Sequence, residues 1–147
     1  MTVTTRTFSV APDPATVLEY LADFGNAEQW DPGTESCTRK DSGPVRVGSA
    51  WHNVSKIVGI ETELTYTLEE WTPSKVVLVG VNDTATSTDI IEVEPDGQGS
   101  RITYTSDVEM HGIAKLATPL VKIVFAKLGN ETEDQMSEVL NGLAGPR

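Results

Sequence analysis

Cysteine is almost missing from this chain. Cys37 is the single one among 147 residues. An intramolecular disulfide is therefore impossible, and so is a zinc site built on several cysteines of one chain. Histidine is nearly as scarce, with only His52 and His111. They do not form an H-x-x-x-H or H-E-x-x-H pattern, so no metal is expected. There is no G-x-S-x-G elbow for a hydrolase serine. No glycine-rich loop opens a helix, so no phosphate cradle and no cofactor are expected. No run approaches the ~20 apolar residues of a membrane span. Met1 to Ser9 lacks the basic start and apolar stretch of a secretion signal. These absences predict a cytoplasmic protein without stable membrane insertion. Three N-x-S/T triplets, at Asn53, Asn82 and Asn130, carry no glycosylation meaning in that setting.

Basic residues are also few, 11 against 22 acidic ones, for a net charge of −11. Such a surface repels phosphate backbones, so nucleic acid is not an expected partner. By the same reasoning it repels anionic membranes. The length fits one domain over residues 1–147 and can bury roughly 70% of its unfolded surface, enough to fold without staples. A monomer or a homodimer is compatible with it.

What is present is mostly strand. Thr2 to Val10 alternates and is rich in Thr and Val. Asp13-Pro14 then starts a short helix, with Asp13 as the N-cap and Pro14 in the first turn. Val17, Leu18 and Leu21 are its apolar stripe. A second short helix runs to Trp30, and Asp31-Pro32-Gly33 stops it. Glu35 to Lys40 reads as a polar edge strand. Ser49 to Val58, Glu61 to Trp71, Lys75 to Val81, Thr84 to Glu94 and Arg101 to Met110 follow, separated by turn residues. Pro95 to Gly99 is the plainest hairpin loop.

Alternation assigns the faces. Leu64, Tyr66 and Leu68 share one face, as do Ile102, Tyr104, Ser106, Val108 and Met110. Ser87, Asp89, Ile91 and Val93 share another. Around Trp51 two phases compete: Trp51, Asn53 and Ile57, or His52, Val54 and Val58. A sheet with one dry face needs a cover. Ile113, Leu116, Ala117, Leu120, Val121, Val124 and Leu128 recur at helical spacing, and Met136, Val139, Leu140 and Leu143 resume the stripe. Pro119 either kinks this helix or marks a start after Thr118, Gly129-Asn130 is a place to bend, and Gly142 with Gly145-Pro146 ends it. The reading is an α+β fold: a seven-stranded antiparallel sheet, two short helices between strands 1 and 2, and a long C-terminal helix. One helix cannot cover a flat sheet of that width. The sheet must curl around it and leave a cavity.

Several segments carry a family likeness. They are Phe8 to Ala15 with Val17, Tyr20 to Asn26, Gln29-Trp30-Asp31-Pro32, Val47-Gly48-Ser49, Glu70 to Pro73, and Asp96 to Thr103. On these the chain resembles the START/Bet-v-1-like helix-grip (SRPBCC) superfamily, in particular its bacterial polyketide cyclase/dehydrase-like branch. The resemblance implies a curved sheet gripping a helix and a cavity for apolar or polycyclic molecules. It implies no catalytic residue, because the superfamily spans aromatase/cyclases, lipid-transfer domains, hormone receptors and co-chaperones.

Two functions remain open. In the first, the cavity binds a small lipid-like or polyketide-like molecule, with Trp30, Tyr66, Asp89, Tyr104, Ser106, Leu120 and Val124 as binding residues. Trp30 is assigned to the mouth. The tyrosine and serine hydroxyls are placed to orient a carbonyl or phenol. In the second, the cavity folds a reactive polyketide chain as an aromatase/cyclase or dehydratase, with Tyr66, Tyr104, Asp89 and His52 moving protons. Asp89 is the sharpest signal, because a carboxyl on a dry face must be paired, protonated or at a wet wall. Cys37 has Arg39 and Lys40 nearby, which would lower its pKa if it were exposed to them, but a passive thiol is the simpler assignment.

Overall fold

The first strand of the chain pairs with the last, and this closes the order of the sheet. The computed structural model describes residues 2–57 and 59–143. Its strands are β1 (Thr2–Val10), β2 (Thr34–Arg39), β3 (Ala50–Ile57), β4 (Ile60–Thr72), β5 (Lys75–Val81), β6 (Ala85–Asp96) and β7 (Gly99–Met110). They form one antiparallel sheet in the order β1-β7-β6-β5-β4-β3-β2. Helices α1 (Pro14–Ala22) and α2 (Ala27–Trp30), with a 3-10 turn between them, connect the two edge strands β1 and β2. A second 3-10 turn, Gly112–Ala117, leads into the long helix α3 (Thr118–Gly142). Val58 and Gly145-Pro146, named above as a strand end and a helix stop, lie outside the described residues.

Local chemistry explains the elements. The Asp13 carboxylate caps α1, accepting from the Thr16 backbone N–H at 3.4 Å and from the Thr16 hydroxyl at 2.6 Å. Register shifts at Glu35 in β2 and Glu69 in β4 insert one extra residue each. Such bulges bend strands and increase their twist, which curls the sheet. Gly97 turns the β6–β7 hairpin with φ 62°.

The core lies at the α1–α2 end of the sheet. Val17, Leu18 and Leu21 of α1, Phe24, Ala27 and Trp30 pack with Trp51, Leu68, Leu78, Ile91 and Ile102. From α3, Met136 and Leu140 are buried in this core and the half-buried Val139 packs against it. Burying Met136 or Leu140 is worth roughly 2–3 kcal/mol. The Ala11 N–H donates to Asn141 Oδ1 at 2.8 Å and fastens the end of α3 to the loop after β1.

The helix departs from the expected pattern in three ways. Ile113, Leu116 and Leu120 are exposed, so the first part of the apolar stripe does not cover the sheet. Pro119 does mark a new start, but Ala117 occupies the N-cap, and Thr118 is already helical with its hydroxyl donating to the Lys115 carbonyl. The helix also runs unbroken through Gly129. A Cβ there would stand 2.7 Å from Thr4 Cγ2 and 3.0 Å from an Arg6 nitrogen. Gly129 lets α3 approach edge strand β1, where Arg6 donates to Asn130 Oδ1 at 3.1 Å and to the Ala126 carbonyl at 3.0 Å.

Candidate functional site

Because the first half of α3 stands away from the sheet, a cavity of about 350 Å³ lies between them. That volume is in the range of small-molecule sites. Its helix wall is Leu120, Val121, Val124, Phe125 and Leu128, and its sheet wall includes Leu64, Val108 and Met110. Polar groups enter this apolar space from β4, β6 and β7: Tyr66, Ser87, Asp89, Tyr104 and Ser106. The pairing explains their convergence. Asp89 stands opposite Ser106, and Ile91 opposite Tyr104, so alternate inward positions of adjacent strands meet on one patch.

Asp89 is the centre of that patch. It is buried, and the Tyr104 hydroxyl donates to its Oδ1 at 3.0 Å. Burial pushes its carboxyl up to about 7, with the nearby Asp31 carboxyl adding to the rise and the Tyr104 hydrogen bond opposing it. Asp31 also lines the cavity. Its oxygens accept from the Gly33 N–H at 3.0 Å and the Thr34 hydroxyl at 2.9 Å, yet burial still raises its pKa. Tyr66 and Tyr104 are held well above the usual phenol range, first by burial and then by the Asp89 charge. Both phenols therefore remain O–H donors. At neutral pH a proton on Asp89 can be held or released.

An aromatic floor positions the two tyrosines. The Phe24 ring centroid lies 4.4 Å from that of Tyr66 and 5.9 Å from that of Trp30, which meets Tyr104 edge-on at 5.9 Å. Gly80, opposite Tyr66, makes room for its ring: a Cβ there would lie 2.6 Å from the ring carbon Cζ.

Of the expected binding residues, Tyr66, Asp89, Tyr104, Ser106, Leu120 and Val124 are brought to the one cavity. Trp30 is not. It is fully buried among Phe24 and Tyr104 beneath the cavity and is absent from the lining, because α2 tucks it against the core rather than toward the opening. Its indole N–H finds no acceptor among the described residues. His52, a candidate proton carrier, is also displaced. Trp51 and Asn53 take the inner face, so His52 points outward and meets Glu63 at 2.7 Å. His111 follows β7, which three strands separate from β3 in the sheet order, and bonds Thr86. The Cys37 thiol is pushed up to about 12 by burial, with the carboxylate of Glu28 adding to the rise. The neighbouring Arg39 is engaged elsewhere, on Asp41 at 2.6 Å and over the Trp51 ring. Asp31 was missed in sequence because a turn and helix stop accounted for it fully. The available signal was the Trp-Asp-Pro segment itself.

Comparison with known proteins agrees with this architecture. The family model described as "Polyketide cyclase / dehydrase and lipid transport" matches residues 1–141. Among solved structures, an aromatase/cyclase from a Streptomyces species superposes with a TM-score of 0.81 at 13% identity, covering 99% of this chain and 98% of that one. A START superfamily protein from Mycobacterium smegmatis gives 0.72 at 19% identity, covering 95% and 94%. A Thermus thermophilus protein gives 0.80 at 14% identity, covering 98% and 99%. At these identities the likeness is one of fold. No curated protein sequence matches the chain.

Proposed function

We propose that this chain, which belongs to the polyketide cyclase / dehydrase and lipid transport family, binds a small, largely apolar molecule between its sheet and α3. The observation that carries this reading is the cavity itself: about 350 Å³ of space with largely apolar walls, a polar patch around Asp89, Tyr104 and Ser106, and further polar lining that includes Asp31 and Arg6. An apolar body packs against Leu120, Val124 and Leu128. A carbonyl or hydroxyl at one end of the ligand meets the patch, where Ser106 and Tyr66 donate and Asp89 donates or accepts according to its protonation. Trp30 supports Tyr104 from below rather than touching the ligand.

A second reading rests on a specific observation, the Asp89 carboxyl raised to about 7. With a pKa near neutrality both forms are populated: the neutral acid in an apolar wall can pass a proton to a ligand oxygen, and the carboxylate can take one from an activated carbon. That is the requirement of an aromatase/cyclase or dehydratase acting on a poly-ketone chain folded by the cavity. The Streptomyces neighbour bears that description. On this reading Asp89 moves the proton, Tyr104 orients the Asp89 carboxyl, and Tyr66 holds the reacting carbonyl.

Native mass spectrometry of the purified protein, followed by denaturation and analysis of released compounds, tests the binding reading. A discrete apolar compound at one per chain is expected. A protein that emerges empty and fails to take up any of a panel of fatty acids and polycyclic phenols overturns it. Asp89→Asn separates the two readings: affinity for an identified ligand stays within about threefold in a binding protein, whereas a dehydratase loses ~100-fold or more in turnover.

A further inference from the structure

The 3-10 turn and the first turns of α3, which continue into the helix wall of the cavity, carry exposed apolar residues that the cavity does not explain. Ile113 is 88% exposed, Leu116 83%, Ile123 71% and Leu120 62%. Only Leu120 of these four lines the cavity. The other three face water on the 3-10 turn and the first turns of α3, and solvent-facing clusters of this kind mark interaction surfaces. The same stretch has an unusual charge. From Met110 to Asn130 the sequence contains Lys115, Lys122 and Lys127 and no acidic residue, in a chain of net charge −11. Lys115, Lys122 and Lys127 are exposed. On the sheet side Ile60 and Thr84 line the cavity, and near them in sequence Lys56, its register partner Glu61, and Asp83 are exposed.

We infer that this entrance segment, residues 112–127, docks on an anionic lipid surface, so that the cavity opens toward the membrane rather than toward water. The composition selects a bilayer over a protein partner. Protein interface cores favour Tyr, Trp, Phe, Met and Arg and are depleted of Lys. Here the exposed set is aliphatic and interleaved with lysines, whose long stems let the ammonium groups reach the headgroups while the stems lie along apolar surface. The net negative charge of the whole chain does not forbid this. A domain of this length has a radius of gyration of about 15 Å, whereas the field of a membrane falls off over about 8–10 Å at ordinary salt. Only the charges near the entrance feel it. The helix is not long and apolar enough to cross a membrane, so the contact is peripheral. It does not require the cavity to be filled.

Vesicle flotation tests the inference, with vesicles of phosphatidylcholine alone and of phosphatidylcholine and phosphatidylglycerol in equal parts. The protein is expected to float with the second and not the first, and to be released when salt rises from ~0.1 M to ~1 M. Each lysine near such a surface contributes roughly fivefold to partitioning. The triple variant K115E/K122E/K127E should therefore lose at least ~100-fold. The variant I113S/L116S/I123S should lose binding at low salt as well. All six side chains lie outside the cavity lining, so both variants should keep the wild-type melting temperature and ligand occupancy. No flotation, equal flotation on both vesicles, or binding unaltered in both variants overturns the inference. So does sedimentation showing a dimer that I113S/L116S/I123S dissolves, because the face then belongs to a second copy. A cavity that is empty by mass spectrometry and takes up none of the panel, with intact flotation, would defeat the ligand reading and leave this one standing.

Discussion

Asp89 couples the chemistry of the site to the stability of the protein. Its folded pKa of about 7 lies above the usual 3.8, so the native state holds a proton that the unfolded chain has released. Below pH ~4 both states are protonated and nothing is lost. Between ~4 and ~7 stability falls with rising pH, by at most on the order of 1.4 kcal/mol per unit, and above ~7 the loss levels off. Asp31, raised by burial, acts in the same direction. Urea melts across this range should show the decline, and Asp89→Asn should flatten most of it. Tyr104→Phe removes the hydrogen bond that opposes the rise, so the Asp89 pKa should climb further, which carboxyl-labelled NMR would read directly. Replacing Tyr104 with Leu should leave the fold intact and change ligand affinity; unchanged affinity would remove Tyr104 from the site. At this scale the sequence was readable where alternation was clean. Tyr66, Asp89, Tyr104 and Ser106 all followed from inward positions. Alternation failed at Trp51 and His52, because Asn53 is buried by virtue of its hydrogen bonds with Thr34 and Ser55, and no hydropathy pattern foresees a polar inner residue satisfied by its neighbours. The depth of Trp30 was equally hidden, since it depends on how α2 lies on the core.

Among the elements, β5 and α3 make opposite use of glycine. Gly80 in β5 accommodates the buried Tyr66 ring, whose Cζ would lie 2.6 Å from a Cβ there. Gly80→Ala should cost about 1–3 kcal/mol by overpacking. Thermal melts check this, and a stability equal to wild type would show that the ring relocates. Gly129 in α3 faces the ends of Thr4 and Arg6, which are more yielding. Its sequence signal resembled a bend, and its reason is close approach to β1. The strands were legible almost to their ends, since turns at Gly59, Pro73 and Gly97 punctuate them. The bulges at Glu35 and Glu69 were not, because a bulge changes spacing by one residue without changing composition. Periodicity marked the face of α3 that carries Val121, Val124, Leu128, Met136 and Leu140, but it also counted Ile113 and Leu116, which stand exposed on the 3-10 turn, and it is silent on whether anything lies opposite that face. Half of the stripe therefore proved to overlook a cavity and an entrance.

At the scale of the whole molecule, one end is a packed core and the other an open grip. Val124→Trp would place a large side chain into the cavity. Ligand occupancy should fall below detection in native mass spectra, with stability unchanged or raised by up to about 2 kcal/mol. Loss of folding instead would mean that the wall of the cavity is itself under packing constraint. The succession of elements along the chain, with seven strands, two short helices and a gripping helix, was implied by the sequence, because it follows from turn chemistry and from the need to cover a dry face. The half-open state of the grip was not, since it is a property of distance between elements. It has a consequence for the history of the protein. Met136 and Leu140 hold α3 in the core, while the residues from Gly112 to Leu128 hold almost nothing. Substitutions in the first half of the helix are thus released from selection for stability, and those in the second half are bound by it. A saturation library scored for abundance should divide α3 near Gly129 into a permissive and a restricted half. Lineages of this fold could exchange one ligand for another by drift in the permissive half alone, without passing through unfolded intermediates.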